Sequence, residues 1–553
     1  MHLPWSNAWQ AHQLAVALAV LLLCHPLWAL ERTGLLPPSF QETMVPVVLA
    51  DHDTAGLPAG AAAEPAERTL PYNVQQPSAR VIELPPVAPA AERLDVWLKA
   101  DGSGNRLLLE AFYAPAERWI EQALVTLDSI NWQHLVIPAA NPLHAFHPEV
   151  PQLRLSVVPG PAAIATAGQL VFRQPLLVRT EPVAQPLPAH RPPAPVFDTW
   201  GGPGLDQFSQ ATAAGVTMHL IPVDFPDGRP VAERVRYAVN AIPQAKAAGL
   251  VVGLAFYPTP PADWLKANQE LLCRGPEAAY DRPGGAFLSP WHPVAEQLLC
   301  RHVTEVLQHL DQQDLLATID LVELCPGEEG EISFEWDQVW AFDRYAIAAY
   351  RSFLSRHYGD NITAVNQDWG TAYASLNEIV PPSDYQPDRE HWVFTEFYRA
   401  SMLRRCVVLA DAVEAVFKPK SWLWMPHSIG NARQRFFSAR YPAYYTENLR
   451  RLGCADYVHV AALEWQTPED VRQLRATGVR AIAEIDVSPT PERLAWTFQQ
   501  AERFGCDGVF LGVVEGLVEG RPPVLTSSGR LARGLTAKFR QQWTADEVRL
   551  HEP

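Results

Sequence analysis

Apolar positions along this chain follow two grammars. Between 91 and 180 they come in short runs that alternate with polar residues: "RLDVWLKA", "RLLLEAFYA", "WQHLVIP", "LRLSVV" and "GQLVFRQPLLVR". A period of two with β-branched and aromatic content predicts strands, and the turn "ADGSGN" separates the first two. Several such strands in so short a stretch predict an all-β sandwich over 91–180. From 196 to 545 the apolar runs alternate with helical periods. Strands are expected in "APVFDTWGG", "TMHLIPVDF", "LVVGLAFYP", "ATIDLVELCPGE", "SWLWMPHSIG", "CADYVHVAALEW", "VRAIAEIDV" and "CDGVFLGVVEGL". Helices such as "AERVRYAVNAIPQAKAAG" and "PVAEQLLCRHVTEVLQHL" lie between them. Strict alternation of strand and helix implies a parallel sheet. Eight such units predict an α/β fold, a (β/α)8 TIM barrel with its site at the strand C-terminal ends.

The flanks read differently. Residues 1–30 contain "LAVALAVLLLC", an eleven-residue apolar run of the length of an export signal and short for a membrane span. Cleavage after Ala29 is expected, with an uncleaved membrane anchor as the alternative because Lys and Arg are missing ahead of the run. Residues 31–90 are rich in Ala, Pro and acidic residues and read as a tether. The proline-rich stretch 181–195 reads as a stiff linker between sandwich and barrel. The protein is therefore expected outside the cytoplasm, periplasmic or secreted.

Charge narrows the partners. The 553 residues carry a formal net charge of -17, which excludes nucleic acid as an expected partner. Eighteen tryptophans favour flat aromatic contacts with a ligand, although tryptophan serves cores equally well. Seven cysteines, one of them in the leader, show no C-x-x-C spacing, so neither a zinc site nor a redox dithiol is expected. Cys273 and Cys300 are the one pair considered for a disulfide. No metal or cofactor is expected; a Ca²⁺ in the turn around Asp101 has no ligand count behind it.

The candidate chemistry lies in "LVELCPGEEGEISFEW", five glutamates in sixteen residues at the end of the fourth barrel strand. Glu484 stands near the end of the seventh. Two carboxylates facing each other across a barrel mouth are what glycoside hydrolysis needs, one as acid and one as nucleophile or base. Glu328 is the first choice for the acid and Glu331 the second. Glu329 and Glu335 read as solvated or loop-bracing, Glu323 as a buried carboxylate within the strand, and His219 as a core histidine. Trp200, Tyr257, Trp291, His427, Glu464 and Trp465 lie near strand ends or barrel-mouth loops and are candidates for sugar contact.

Two resemblances bear on this reading. The segment 91–180, with its "DGSGN" turn and closing "GQLVFRQPLLV" strand, resembles the jelly-roll modules beside secreted carbohydrate-active enzymes. "YGDNITAVNQDWGTAYASLNEIVPPSD" (Tyr358 to Asp384) and "SPWHP" (Ser289 to Pro293) are similar to stretches of the glycoside hydrolase family 42 β-galactosidases, which are clan A barrels. The resemblance implies a retaining hydrolase with carbohydrate as partner. It matches "GEEG" to the family's Asn-Glu-Tyr-Gly motif, making Glu328 the acid/base and Glu484 the nucleophile. Gly327 stands where that family has asparagine. A second register, similar to the Gly-Glu pair of β-amylases, runs through "GEI" and Glu331. The reading of another class is a carbohydrate-binding or envelope-scaffold protein that keeps the barrel without catalysis.

Overall fold

A computed structural model of the chain describes residues 41–46, 68–75, 80–83, 93–113, 118–128, 130–138, 152–181, 197–199, 208–257, 260–277, 287–327, 330–335, 337–426, 432–460, 471, 474–475, 477–485, 490–511, 517–520 and 524–550. Nine strands form an N-terminal unit: β1 (Gln41–Pro46), β2 (Arg68–Asn73), β3 (Arg80–Glu83), β4 (Arg93–Lys99), β5 (Arg106–Tyr113), β6 (Arg118–Thr126), β7 (Trp132–Pro138), β8 (Gln152–Val158) and β9 (Ala167–Glu181). They make two antiparallel sheets. In one, β1 and β2 both pair with β9, followed by β4 and β7; the other runs β3-β8-β5-β6. Alternate residues of both sheets, among them Leu94, Leu98, Leu107, Leu155, Leu170 and Phe172, share one core.

Three of these strands correct the boundary drawn for the tether. β1, β2 and β3 lie within 31–90, and each is completed by pairing with β9 or β8 far along the chain. Short runs such as "RTLPYN" and "RVIE" carry too little local alternation to announce a partner more than seventy residues away. The turn around Asp101 also has a structural explanation. Its carboxylate accepts hydrogen bonds from the Tyr72 hydroxyl at 2.7 Å and from the backbone N–H groups of Ser103 and Gln169 at 3.1 Å each. These bonds tie the turn to β2 and β9.

The second unit begins with β10 (Phe197–Thr199) and continues through β11 (Met218–Val223), β12 (Val251–Phe256), β13 (Leu321–Leu324), β14 (Ser421–Trp424), β15 (Tyr457–Val460), β16 (Arg480–Ile485) and β17 (Gly508–Leu511). All eight expected strands are present, and all their pairings are parallel. β11 to β17 lie side by side in chain order, β10 pairs with β17, and β10 also runs beside β11. A first strand bonded to the last and lying beside the second brings the two edges of the sheet together, so the sheet is curled, and this order fits a (β/α) barrel. Side chains divide by alternation. Met218, Leu220, Ala255, Leu321, Leu423, Tyr457, Ile482 and Phe510 meet in an inner cluster. Their strand neighbours, such as Ile221, Val252, Val322, Trp422 and Val458, join the helices in a larger outer one.

Helix ends follow local chemistry. Helix Pro293–Gln312 starts at His292, whose ring accepts from Val294 N–H at 3.2 Å, with Pro293 in the first turn, where its missing donor costs nothing. Helix Arg344–Tyr358 is capped by Asp343, which accepts from Tyr345 and Ala346 N–H at 2.9 and 3.0 Å, and ends at Gly359 with φ 62°. Helix Arg389–Glu414 is capped by Asp388, which also forms a β-bridge with Leu135 of β7, so the two units touch there. The six described cysteines are all buried and free, which corrects the Cys273–Cys300 pairing. Among the described residues no helix is long and apolar enough to cross a membrane; the apolar run at 14–24 lies outside them.

Candidate active site

The segment after β13 turns across the strand ends. Cys325 and Pro326 are buried, Gly327 follows, and the chain reappears at Gly330 with φ 93°. Glu331 then forms a parallel bridge with Met425, the residue after β14, and Ile332 N–H donates to Met425 O at 2.8 Å. Phe334 N–H donates to Ser438 O at 2.8 Å. Glu331 is thereby fixed at the C-terminal end of the parallel sheet, where a barrel carries its site. Ser333 Oγ donates to Glu331 Oε2 at 3.4 Å.

The turn has no space for a side chain at position 327. A Cβ built on Gly327 would lie 2.2 Å from Glu331 O and 2.5 Å from Ser333 O, both backbone atoms. The glycine at 327 is therefore required by the loop. Glu328 and Glu329 lie outside the described residues, as do Trp200, His427, Glu464 and Trp465. Glu484 lies in β16 with its Cα in register with Phe510 of β17.

Below this level the barrel holds polar residues that the sequence only half revealed. Glu323 is fully buried in β13. Tyr257 Oη donates to its Oε2 at 3.3 Å, and His459 Nδ1 of β15 lies 3.7 Å from its Oε1. The His459 ring sits 4.3 Å from that of Phe510, centroid to centroid. Tyr257, expected to contact sugar, is thus tied to a buried carboxylate. Burial, reinforced by the Glu323 charge, holds the Cys325 thiol far above its ordinary range, which makes it a poor nucleophile. His219 in β11 has its pKa lowered to about 4 by burial, so it stays neutral at neutral pH. His459 was missed because a lone histidine in "DYVHV" carries no spacing signal.

Arg440 was missed as well. It is 7% exposed and follows Ala439, a non-glycine residue with φ 52°. Burial holds its guanidinium below the ordinary arginine range, and the charges of Glu331 and Glu335 push the other way. Those two carboxylates are therefore its electrostatic neighbours, which gives Glu335 more than a loop-bracing place.

Trp291 is a wall residue. Its ring lies nearly parallel to Phe334 (5.7 Å, 4°) and Tyr398 (6.1 Å, 9°), and its indole N–H donates to Ser401 Oγ at 2.9 Å. The family-like segment Tyr358 to Asp384 is also structural. Tyr358 Oη donates to Asp368 at 2.6 Å, Trp369 Nε1 donates to Tyr358 Oη at 2.9 Å, and Arg389 Nε donates to Asp368 at 3.0 Å. Asn366 Oδ1 accepts from Thr371 and Tyr373 at 3.0 and 2.9 Å. The segment is a hydrogen-bonded knot between helices. Among the described residues no cluster of His, Cys, Asp and Glu is arranged to hold a metal.

No family model matches the chain, and no curated protein does. Solved structures do. The chain is similar to the catalytic domain of β-amylase from Paenibacillus polymyxa, with 16% identity and a TM-score of 0.51 over 62% of this chain and 99% of that one. It is also similar to β-galactosidase from the psychrophilic Marinomonas ef1 (12%, TM-score 0.47, 64% of this chain and 60% of that one). A third is β-galactosidase from the haloarchaeon Halorubrum lacusprofundi (15%, TM-score 0.43, 63% and 58%). The superposition on the β-amylase domain speaks to fold, and the second unit of this chain shares the barrel fold of that catalytic domain.

Proposed function

We propose that the chain is an exported glycoside hydrolase acting on an oligo- or polysaccharide, with Glu331 as general acid/base and Glu484 as nucleophile. One observation carries this reading: Glu331 is pinned by backbone bonds at the end of β14, in the sheet whose β16 holds Glu484. Glu331 is preferred to Glu328 because the turn at Gly327 leaves no room for the asparagine that the other register needs beside its acid. Retention follows the family resemblance. The Glu484 carboxylate attacks the anomeric carbon as Glu331 gives its proton to the departing oxygen. Water then attacks the glycosyl ester, Glu331 takes its proton, and Glu484 leaves as carboxylate. The N-terminal unit fits a jelly-roll module. With β1 and β2 counted as one split strand, the two sheets run 1-8-3-6 and 2-7-4-5.

The test is a glycan screen with ¹H NMR of the first-formed anomer. Retained configuration supports the double displacement; an inverted product replaces it with direct attack by water. The crowded Gly327 turn also favours a second reading, a barrel that binds carbohydrate without cleaving it. Binding without any product in the screen would install that reading instead.

A further inference from the structure

We infer that Arg440 is a substrate-binding residue that takes two adjacent hydroxyls of a neutral sugar ring beside Glu331; the inference rests on the carbohydrate reading of this site. Arg440 is 93% buried, and its Nε is sealed from solvent without an acceptor. Its other two nitrogens are not sealed in this way. Other buried arginines of the barrel have partners. Arg450 donates to Asp456 and to Ala455 O, Arg234 to Glu305, and Arg405 to Leu288 O. Among the described residues the Arg440 side chain has no hydrogen-bond partner, and a buried guanidinium left in that state is costly.

The backbone is arranged to keep it there. Phe334 N–H holds Ser438 O at 2.8 Å, and Ala439 takes a left-handed φ of 52°, a conformation that persists in a non-glycine residue only where the surroundings impose it. The residue so placed shares the field of Glu331 and Glu335.

That field decides the ligand's chemistry. Two carboxylates already outweigh one guanidinium, so a further anion meets net negative charge. What remains open is donor capacity rather than charge. A guanidinium edge offers parallel N–H groups at a spacing that suits two neighbouring oxygens. Adjacent ring hydroxyls of a neutral hexose or pentose supply those oxygens without adding charge, whereas uronates and sulfated sugars are disfavoured.

The experiment uses the full chain carrying Glu484→Gln, so that ligands survive, and isothermal titration with neutral gluco-, xylo- and galacto-oligosaccharides and with oligogalacturonates. Neutral ligands should bind more tightly than the uronates. Arg440→Met should weaken neutral binding by roughly 10- to 100-fold, the loss expected for a charged hydrogen bond. Arg440→Lys, which keeps the charge but not the fork, should recover part of it. If Arg440→Met fails to fold, monodeoxy analogues of the bound sugar carry the test on the arginine-bearing chain, and one of them should show the same loss. Unchanged affinity in Arg440→Met or in every deoxy analogue, tighter binding of uronates, or no binding of any neutral member overturns the inference. Arginine-dependent binding without product release by the unsubstituted chain sustains it and removes the hydrolase reading. Hydrolysis of a neutral glycan that Arg440→Met leaves unchanged in binding and KM does the reverse.

Discussion

Two polar groups of the barrel unit are built in opposite ways. In the knot from Tyr358 to Tyr373 nearly every polar side chain has a short, direct partner: Tyr358 with Asp368, Trp369 with Tyr358, Arg389 with Asp368, Asn366 with Thr371. At the mouth, around Arg440, a buried donor is left unmatched. Arg440 lies in the field of Glu331 and Glu335, and its side chain has no hydrogen-bond partner among the described residues. Satisfied networks hold a fold, and groups left with spare bonding capacity in a cleft are available to a ligand. The knot is therefore a brace, and the chemistry is expected at the mouth.

The contrast can be broken most sharply by removing a carboxylate at the mouth. Glu484→Gln should cut hydrolysis of any substrate found by at least about a thousandfold with little change in melting temperature. Glu331→Ala should do the same for poor leaving groups, spare activated aryl glycosides, and recover with added azide. If Glu328→Ala shows that pattern and Glu331→Ala does not, the assignment is off by three residues.

Next in size is Gly327→Asn, which introduces the asparagine that the Glu328 register would need. Its Cβ would meet backbone oxygens at 2.2 and 2.5 Å, so activity should fall by more than tenfold rather than improve. A gain in activity would show that the turn can open and that the first register is available.

The third effect concerns protonation within the barrel unit. The folded-state pKa of His219 is lowered to about 4 and that of His302 to about 3, burial being the main cause in each. The unfolded chain therefore binds protons more readily than the folded one as pH falls below about 6.5. Stability should be full above that value and decline toward pH 4, by on the order of 3 kcal/mol for His219. Denaturant titrations at pH 7, 5.5 and 4.5 measure it, and His219→Gln should flatten the slope. A pH-independent midpoint would contradict the neutral, buried state.

The smallest effect belongs to the brace. Asp368→Asn weakens its bonds from Tyr358 and Arg389 and should cost about 2 kcal/mol of stability while leaving kcat per folded molecule unchanged. A loss of kcat as large as that of Glu331→Ala would erase the distinction between knot and mouth.

Much of the barrel was legible because its signals are local. Each strand is an apolar run bounded by turn residues, and His292, Asp343 and Gly359 announce helix ends by their own chemistry. What stayed hidden depends on distant partners. β2 is a strand because β9 accepts it. Trp291 stacks on Phe334 and Tyr398, a placement made by helix packing. Cys273 and Cys300 look like partners in sequence, but each is buried as a free thiol. Glu331 and Glu484 could be singled out as candidates because strand ends are legible. Arg440 could not, since nothing in "SARYP" says that its guanidinium will be enclosed.

The pairing of β10 with β17 also has a consequence in time. The partners of Phe197, Asp198 and Thr199 are Val509, Phe510 and Leu511, some three hundred residues later. At roughly 5–20 residues per second a ribosome needs on the order of 15 to 60 s between making the two. For that interval the first strand, although it lies beside β11, lacks its hydrogen-bonded partner, and the growing sheet stays open. Joining them closes a very long loop, which slows folding and leaves sticky edges exposed meanwhile. Shortening that wait, by moving β10 behind β17 in a circular permutant, should raise the yield of soluble barrel from a cell more than any change at its mouth.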